Sequence, residues 1–218
     1  LFAVGEKYLP AAVRNTVRVK DVTREDFRIR ISGGKVRAMA IMPYGLVTDE
    51  VIVPVRSEGG DISLAGTDLN KLAVIERHFS SGNIGLGLVK GYGFRGGALG
   101  ISVAHDSHNL VILGDNNAAM ARAAALLKEM GGGMALVGDG VEETFPLEVA
   151  GLMSVRSAEE VAANTARLSA IARRMGVREE YDPFMTLAFL ALPVIPHIKL
   201  TDRGLFNVDA FSFEEIEP

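Results

Sequence analysis

The sequence predicts an α+β fold, a mixed β-sheet with helices packed on a face. Two observations carry this reading. β-Branched and alternating runs dominate the first half of the chain, and two capped amphipathic helices then appear between further strands, which is neither a clean βαβ alternation nor an all-β pattern. A chain of 218 residues with 48% hydrophobic content can bury roughly 70% of its unfolded surface, enough for one substantial domain.

The elements follow in order. Residues 1–26 hold Pro10 and scattered charges and read as a connecting segment docked on something larger; residues 27–218 form the domain proper. In residues 27–31, Phe27, Ile29 and Ile31 alternate with Arg28 and Arg30, the period of a half-buried strand, and Gly33-Gly34 supplies a turn into an extended run at 35–42. A hairpin is expected there. Residues 47–55 form another β-branched run, in which Pro54 calls for a sheet edge or a bulge. Residues 72–76 read as a short buried strand, 86–89 and 98–104 flank a glycine-rich track, and 110–113 reads as strand again.

The first helix spans about 117–130. Met120, Ala124, Leu127 and Met130 share a face, Asp115 or Asn116 can cap the start, and Gly131 stands just past the end. The second opens with a capping box at Ser157 and Glu160, carries an apolar stripe of Val161, Leu168, Ile171, Ala172 and Met175, and ends at Gly176. Strands are expected at 134–137 and 144–147. Met185, Leu187, Phe189 and Leu192 read as core, although an apolar run there also suits a subunit contact. Asp202 and Arg203 before Gly204 read as a turn with a local charge pair, and Glu214, Glu215 and Glu217 as a solvated acidic end.

Composition excludes several functions. A net charge of -4, from 23 basic and 27 acidic residues, offers no broad cationic face for phosphates, so no nucleic-acid partner is expected. The chain has no cysteine, which removes disulfides and thiolate metal sites and fits a reducing, cytoplasmic setting. It also removes any catalytic zinc held by a P-C-x-x-C pair. The apolar run 185–195 is about half a bilayer span and is broken by Pro193, so no membrane partner is expected. The chain opens on Leu1 without a basic and then apolar leader, as a cut within a longer protein would.

Residues 82–109, GNIGLGLVKGYGFRGGALGISVAHDSHN, are the most informative stretch. Seven glycines between Gly85 and Gly100 imply tight turns, positive φ or close backbone approach, and the stretch ends in His105, Asp106, Ser107, His108 and Asn109. Gly91, Gly93 and Gly96 fit G-x-G-x-x-G, with Asp115 near the acidic position of a dinucleotide site. That fingerprint needs a helix to open at the glycines, and a strand is expected instead. His105 and His108 as metal ligands have the wrong spacing for one face of a strand and no complete ligand set elsewhere. A Ser-His-Asp triad has no G-x-S-x-G turn to support it. Two readings remain for the cluster. Either it ties the strand end to a neighbouring loop, or it is a polar tip entering an active site made mainly by another domain. If residues 104–108 stay extended, His105 and Ser107 share one face, with Asp106 and His108 on the other; an Asp beside a His can fix its tautomer. Glu76, Arg77 and His78 are secondary candidates, with Arg77 expected to pair with Glu76 or Asp106.

The glycine track and HDSHN, together with ERH at 76–78, DPFMTLAFLALPVIP at 182–196, KLTDRGLFNVDAF at 199–211 and VRNTVRVKDVTREDF at 13–27, closely resemble the C-terminal domain of bacterial and archaeal adenine deaminases. The resemblance covers nearly the whole chain. It implies a metal-dependent (β/α)₈ barrel of the amidohydrolase superfamily ahead of these residues and absent from them. It further implies hydrolysis of adenine to hypoxanthine and ammonia in purine salvage or adenine catabolism, with a dinuclear manganese or iron centre held by barrel residues. The H-x-H that opens such a centre does not occur here, so the 218 residues alone are expected to bind no catalytic metal and to be inactive. The 82–109 segment is then expected to cap the barrel mouth of its own or a neighbouring subunit, with adenine as small-molecule partner and a homo-oligomeric assembly. Two rivals are a purely structural or oligomerisation domain and a stand-alone purine-binding module.

Overall fold

The protein is described here by a computed structural model covering residues 9–218; Leu1 and the rest of residues 1–8 of the predicted connecting segment lie outside the described residues. Its main sheet has eight strands: β1 (Lys35–Ile41), β2 (Thr48–Pro54), β5 (Leu69–Ile75), β6 (Ile84–Lys90), β7 (Gly97–Ile101), β8 (Leu110–Gly114), β9 (Gly133–Gly138) and β10 (Val141–Pro146). Across the sheet the order is β10-β9-β7-β8-β5-β6-β1-β2. Only β1 and β6 run parallel, so the sheet is mixed as expected. β2 is an edge strand, which is where Pro54 can sit without breaking a ladder. β3 (Arg56–Glu58) pairs with β4 (Asp61–Ser63), and β11 (Ile198–Thr201), β12 (Gly204–Asn207) and β13 (Ser212–Glu214) make a three-stranded sheet. These five strands are three or four residues long, too short to leave a periodic signal.

Helices lie against both faces of the main sheet. Helix α1 (Asn117–Glu129) starts at Asn116, whose side chain accepts from the Ala118 and Ala119 amides. It packs Met120, Ala123, Ala124 and Leu127 on Ala73, Ile75, Ala98 and Ile112, with Val17, Val19 and Phe27 closing the same core. On the other face, α2 (Ala158–Arg174), with its Ser157/Glu160 capping box, and α3 (Met185–Leu190) bury Leu168, Ile171, Leu187 and Leu190 on Leu72, Val74, Leu99, Val111 and Leu113. β5 is covered on both sides and is buried along its whole length.

Several expectations are corrected. Residues 27–31 form no strand and no hairpin at Gly33-Gly34. A capping box between Thr23 and Asp26 holds a 3₁₀ turn over Arg24–Phe27. The following backbone is then satisfied by other partners: Ile29 N–H donates to Asp61 (2.8 Å), Ile62 N–H to Ile29 O (2.9 Å) and Val55 N–H to Gly34 O (2.9 Å). The alternation survives as burial, since Phe27 and Ile29 enter the core. The acidic end is not free in solvent, because the Glu217 carboxylate accepts from the Ser32 and Gly33 amides. Met185 is 53% exposed rather than core, since it faces away at the first turn of α3.

The glycine track works mainly by close approach. A Cβ on Gly85 would sit 1.8 Å from Thr201 O, and one on Gly87 within 3.3 Å of the Leu200 and Leu205 side chains, so the bare face of β6 is the seat of the small sheet. At Gly93 (φ +88°) a Cβ would meet Gly176 O at 2.5 Å.

Lys199 is wholly buried and donates to Leu46 O (2.8 Å); burial pushes its ammonium down to about 8. The folded state therefore releases this proton first, and stability rises with pH between about 8 and the ordinary lysine range, with the full cost present below 8.

Two outcomes follow. Gly85→Ala should destabilise the domain by about 1–3 kcal/mol through overpacking against Thr201 O, read by urea titration. Lys199→Met should stabilise by about 1–2 kcal/mol at neutral pH and flatten the alkaline rise in stability, read by thermal unfolding across pH.

Candidate functional site

The antiparallel registers of β5 decide which loops meet. Ile75 pairs with both Ile84 and Leu110, and Ile101 with Val111, so the 76–83 and 102–109 loops leave the same end of the sheet side by side. The two sequence-predicted groups, Glu76-Arg77-His78 and His105 to Asn109, are thereby brought together. A third loop, residues 147–153, joins them from β10. Ser102 fastens it, accepting from Gly133 N–H (2.7 Å) and donating to Gly151 O (2.5 Å).

The chain does not stay extended through the histidines. β7 ends at Ile101, residues 105–107 turn, and His108 takes φ +51°. His108 N–H donates to Ala104 O (2.5 Å) and Ala104 N–H donates to His108 Nδ1 (3.3 Å), which closes the turn on itself. The predicted division of faces is replaced by a compact knuckle. On it Asp106 and Ser107 are exposed, His105 and His108 half-buried, and Asn109 buried. The rings of His105 and His108 lie 5.8 Å apart, and His105 also rests 5.2 Å from Phe189 of α3.

Glu76 and Arg77 form the base. The Glu76 carboxylate accepts from the His78, Phe79 (2.8 Å) and Ser81 (3.0 Å) amides and from the Ser81 hydroxyl (2.9 Å). Burial pushes its carboxyl up, but these donors outweigh burial and hold it at about 2. Arg77 is 2% exposed and does not make the expected pair with Glu76 or Asp106. Its guanidinium donates to His108 O and, at 3.1 and 3.2 Å, to Ala150 O, while its own amide donates to Asn109 Oδ1 (3.4 Å). Glu76 is already satisfied by its own loop, which removes the carboxylate nearest in sequence. His78 Nε2 lies 2.6 Å from Ser107 O; a carbonyl only accepts, so this nitrogen carries a proton. Phe79, 87% exposed beside His78, is a feature the sequence reading passed over.

The surroundings of His108 disfavour its charged form. Burial lowers its pKa first, with Arg77 and His105 acting in the same direction against Asp106. Because Nδ1 accepts from Ala104, the ring proton sits on Nε2, leaving the imidazole a hydrogen-bond donor. Among the described residues no three His, Cys, Asp or Glu side chains come together as a metal site. His108 Nδ1 is also already committed, so the residues present do not fit a metal centre.

Elsewhere, a cleft of about 610 Å³ at the far end of β5 is lined by Arg24, Asp61, Lys71, Arg95, Asp115 and Asn117, among others. Its polar groups are largely engaged with one another. Lys71 donates to Asp61 (2.5 Å), Asn117 (2.8 Å) and Phe27 O (3.0 Å), and Arg95 to three carbonyls. Asp115 accepts from the Gly96 and Gly97 amides, the donors a pyrophosphate would need, and β7 follows in place of a helix. The glycine fingerprint is structural. His197, in turn, is a half-exposed histidine paired with Asp209.

Residues 45–212 match the family model of the adenine deaminase C-terminal domain. The chain belongs to the adenine deaminase family. It is 46% identical over 207 residues to an adenine deaminase of Nitratidesulfovibrio vulgaris strain Hildenborough, covering 94% of this chain and 36% of that relative. It is equally 46% identical, over 203 residues, to adenine deaminase 2 of Carboxydothermus hydrogenoformans, covering 92% and 36%. An adenine deaminase of Methanothrix thermoacetophila is 42% identical over 206 residues, covering 94% and 36%. The chain thus spans about a third of the length of these curated relatives. No helix among the described residues is long and apolar enough to cross a membrane.

Glu76 sets a pH signature for this end of the sheet. Its folded-state value lies below the ordinary carboxylate value of 4.5, so its contribution is complete above about 4.5 and is lost as pH falls through about 2. Glu76→Gln should cost about 1–3 kcal/mol at pH 7 and remove that part of the acid dependence, read by thermal unfolding from pH 7 to 2.

Proposed function

We propose that these residues are the C-terminal part of an adenine deaminase, a hydrolase that replaces the 6-amino group of adenine by water to give hypoxanthine and ammonia. Family membership supports the reaction class. The observation that carries the role of this domain is the apposition of the 76–83 loop and the His105–Asn109 knuckle over a fixed polar base. In this reading Glu76, Arg77 and Asn109 form the base, and His78, His105, Asp106, Ser107 and His108 are the groups offered to a ligand.

The metal chemistry, a dinuclear manganese or iron centre that makes a strong nucleophile from water, belongs to a barrel domain preceding this chain. Residues 1–26 are its connection to that barrel, and residues 27–218 the domain that covers the barrel mouth. What this chain supplies is exclusion of water and orientation of the purine. Imidazole N–H donors and a carboxylate acceptor suit the ring nitrogens and exocyclic amine of adenine. The enzyme is read as cytoplasmic, serving adenine salvage or breakdown.

One observation favours a supporting role in assembly as well. Met42, Tyr44, Leu46, Val47 and Val194 are exposed apolar residues. They stand on two segments joined where Thr48 N–H donates to Pro196 O (3.2 Å) and His197 N–H donates to Thr48 O (3.0 Å). Such a grouping suits a contact with the barrel or with a second subunit.

In the full-length protein, His105→Ala should lower adenine turnover by about tenfold or more with the melting temperature nearly unchanged. A shift in melting temperature with turnover intact would assign the knuckle to scaffolding.

A further inference from the structure

Arg77 is placed where packing alone would favour an apolar residue. It is buried, its described partners are carbonyl oxygens, and among the described residues no carboxylate neutralises it. Burial lowers its pKa, yet a guanidinium stays charged in a protein. A buried charge compensated only by carbonyl dipoles is costly to keep. The chain makes room for it as well, since a Cβ on Gly151 (φ +70°) would stand 2.6 Å from Arg77 Nη1. Both carbonyls it binds belong to loops of the candidate site: His108 in the knuckle and Ala150 in the 147–153 loop.

We infer that Arg77 is a positioning residue that clamps the 104–108 turn through His108 O and Ala150 O, so that His108 presents Nε2–H to an acceptor atom on the substrate. This rests on the site reading above and deepens it. Three features act together. The bond to His108 O fixes the backbone of the turn. The closed turn directs Ala104 N–H to Nδ1, which assigns the proton to Nε2. The fixed positive charge of Arg77 opposes a second proton there. The other groups facing His108 are His105 and His78, which add to that opposition, and Asp106, which works against it. A neutral donor suits an aromatic ring nitrogen, which has a lone pair to offer and gains negative charge as water adds to the neighbouring carbon.

The test uses the full-length protein with adenine as substrate. Arg77→Met, Arg77→Lys, His108→Gln and His108→Leu are compared for kcat and KM across pH. The titration of His108 is followed by deuterium exchange at its imidazole C2, read residue by residue in a mass spectrometer. Arg77→Met should lower kcat/KM by about tenfold or more. It should also move the His108 midpoint up towards the ordinary histidine value of about 6.5 and shift the acidic limb of the rate profile with it. Arg77→Lys, which can reach one carbonyl but not fork to both, should fall between; it also serves if the methionine variant fails to fold. His108→Gln, whose amide N–H can stand in for Nε2–H, should retain more activity than His108→Leu. A His108 titration and pH profile that neither Arg77 variant moves, with only the melting temperature lowered, would overturn the clamp. Unchanged turnover in His108→Leu would overturn instead the donor role, and the site reading with it, whatever Arg77 does to the titration.

Discussion

The registry of β5 between β6 and β8 is the constraint on which the rest of this structure depends. Leu69–Ile75 pairs residue for residue with Ile84–Lys90, and its Lys71–Ile75 part pairs with Leu110–Gly114. Side chains alternate along a strand, so Leu72 and Val74 feed the core under α2 and α3 while Ala73 and Ile75 feed the core under α1. A slip of one residue would exchange the two cores and carry Lys71 into the wrong one. The same pairing fixes the distance between Arg77 and His108. Site geometry and sheet stability therefore share one set of backbone hydrogen bonds.

Two polar assemblies occupy the two ends of this strand and differ in kind. At the Lys71 end, Asp61 and Asn117 close a network whose donors and acceptors satisfy one another. At the Glu76 end the saturated groups lie underneath, in Glu76, Arg77 and Asn109, and the histidines, Asp106 and Ser107 are left towards the surface. A rigid, satisfied layer below a layer with hydrogen-bonding capacity to spare is the arrangement that holds functional side chains in place.

Much of this was legible in the residues. The capping box at Ser157, the Asn116 cap, Gly131 and Gly176 marked both long helices, because these signals are local. Pro54 marked an edge, and the glycine track announced close backbone approach, which Gly85 and Gly93 display. Residues 27–31 misled because alternation reports burial on two sides and says nothing of where the amides find partners; Asp61, far along the chain, takes Ile29. The short strands β3, β4 and β11 to β13 have too few residues for any period to show. At the site, the residues singled out ERH and HDSHN and offered Asp106 as one partner for Arg77, but not the contact that forms, Arg77 to the His108 carbonyl, which is a property of strand register and turn shape. Nor did they show that the second motif is a turn, because His108 must enter the left-handed region for the turn to close, and a histidine marks that conformation only weakly.

The tie between Glu217 and the amides of Ser32 and Gly33 bears on how the molecule is made. Together with Arg37 N–H donating to Ile216 O (2.7 Å), it joins the approach to β1 to residues more than 170 positions later. Contacts so distant along the chain are slow to form, since a large loop must close before they repay its entropy. During synthesis the outer strands β1 and β2 must wait for residues 216 and 217 before that seam can shut. Until then that margin of the sheet stays unfinished, so its closure is a late step set by chain separation rather than by local propensity.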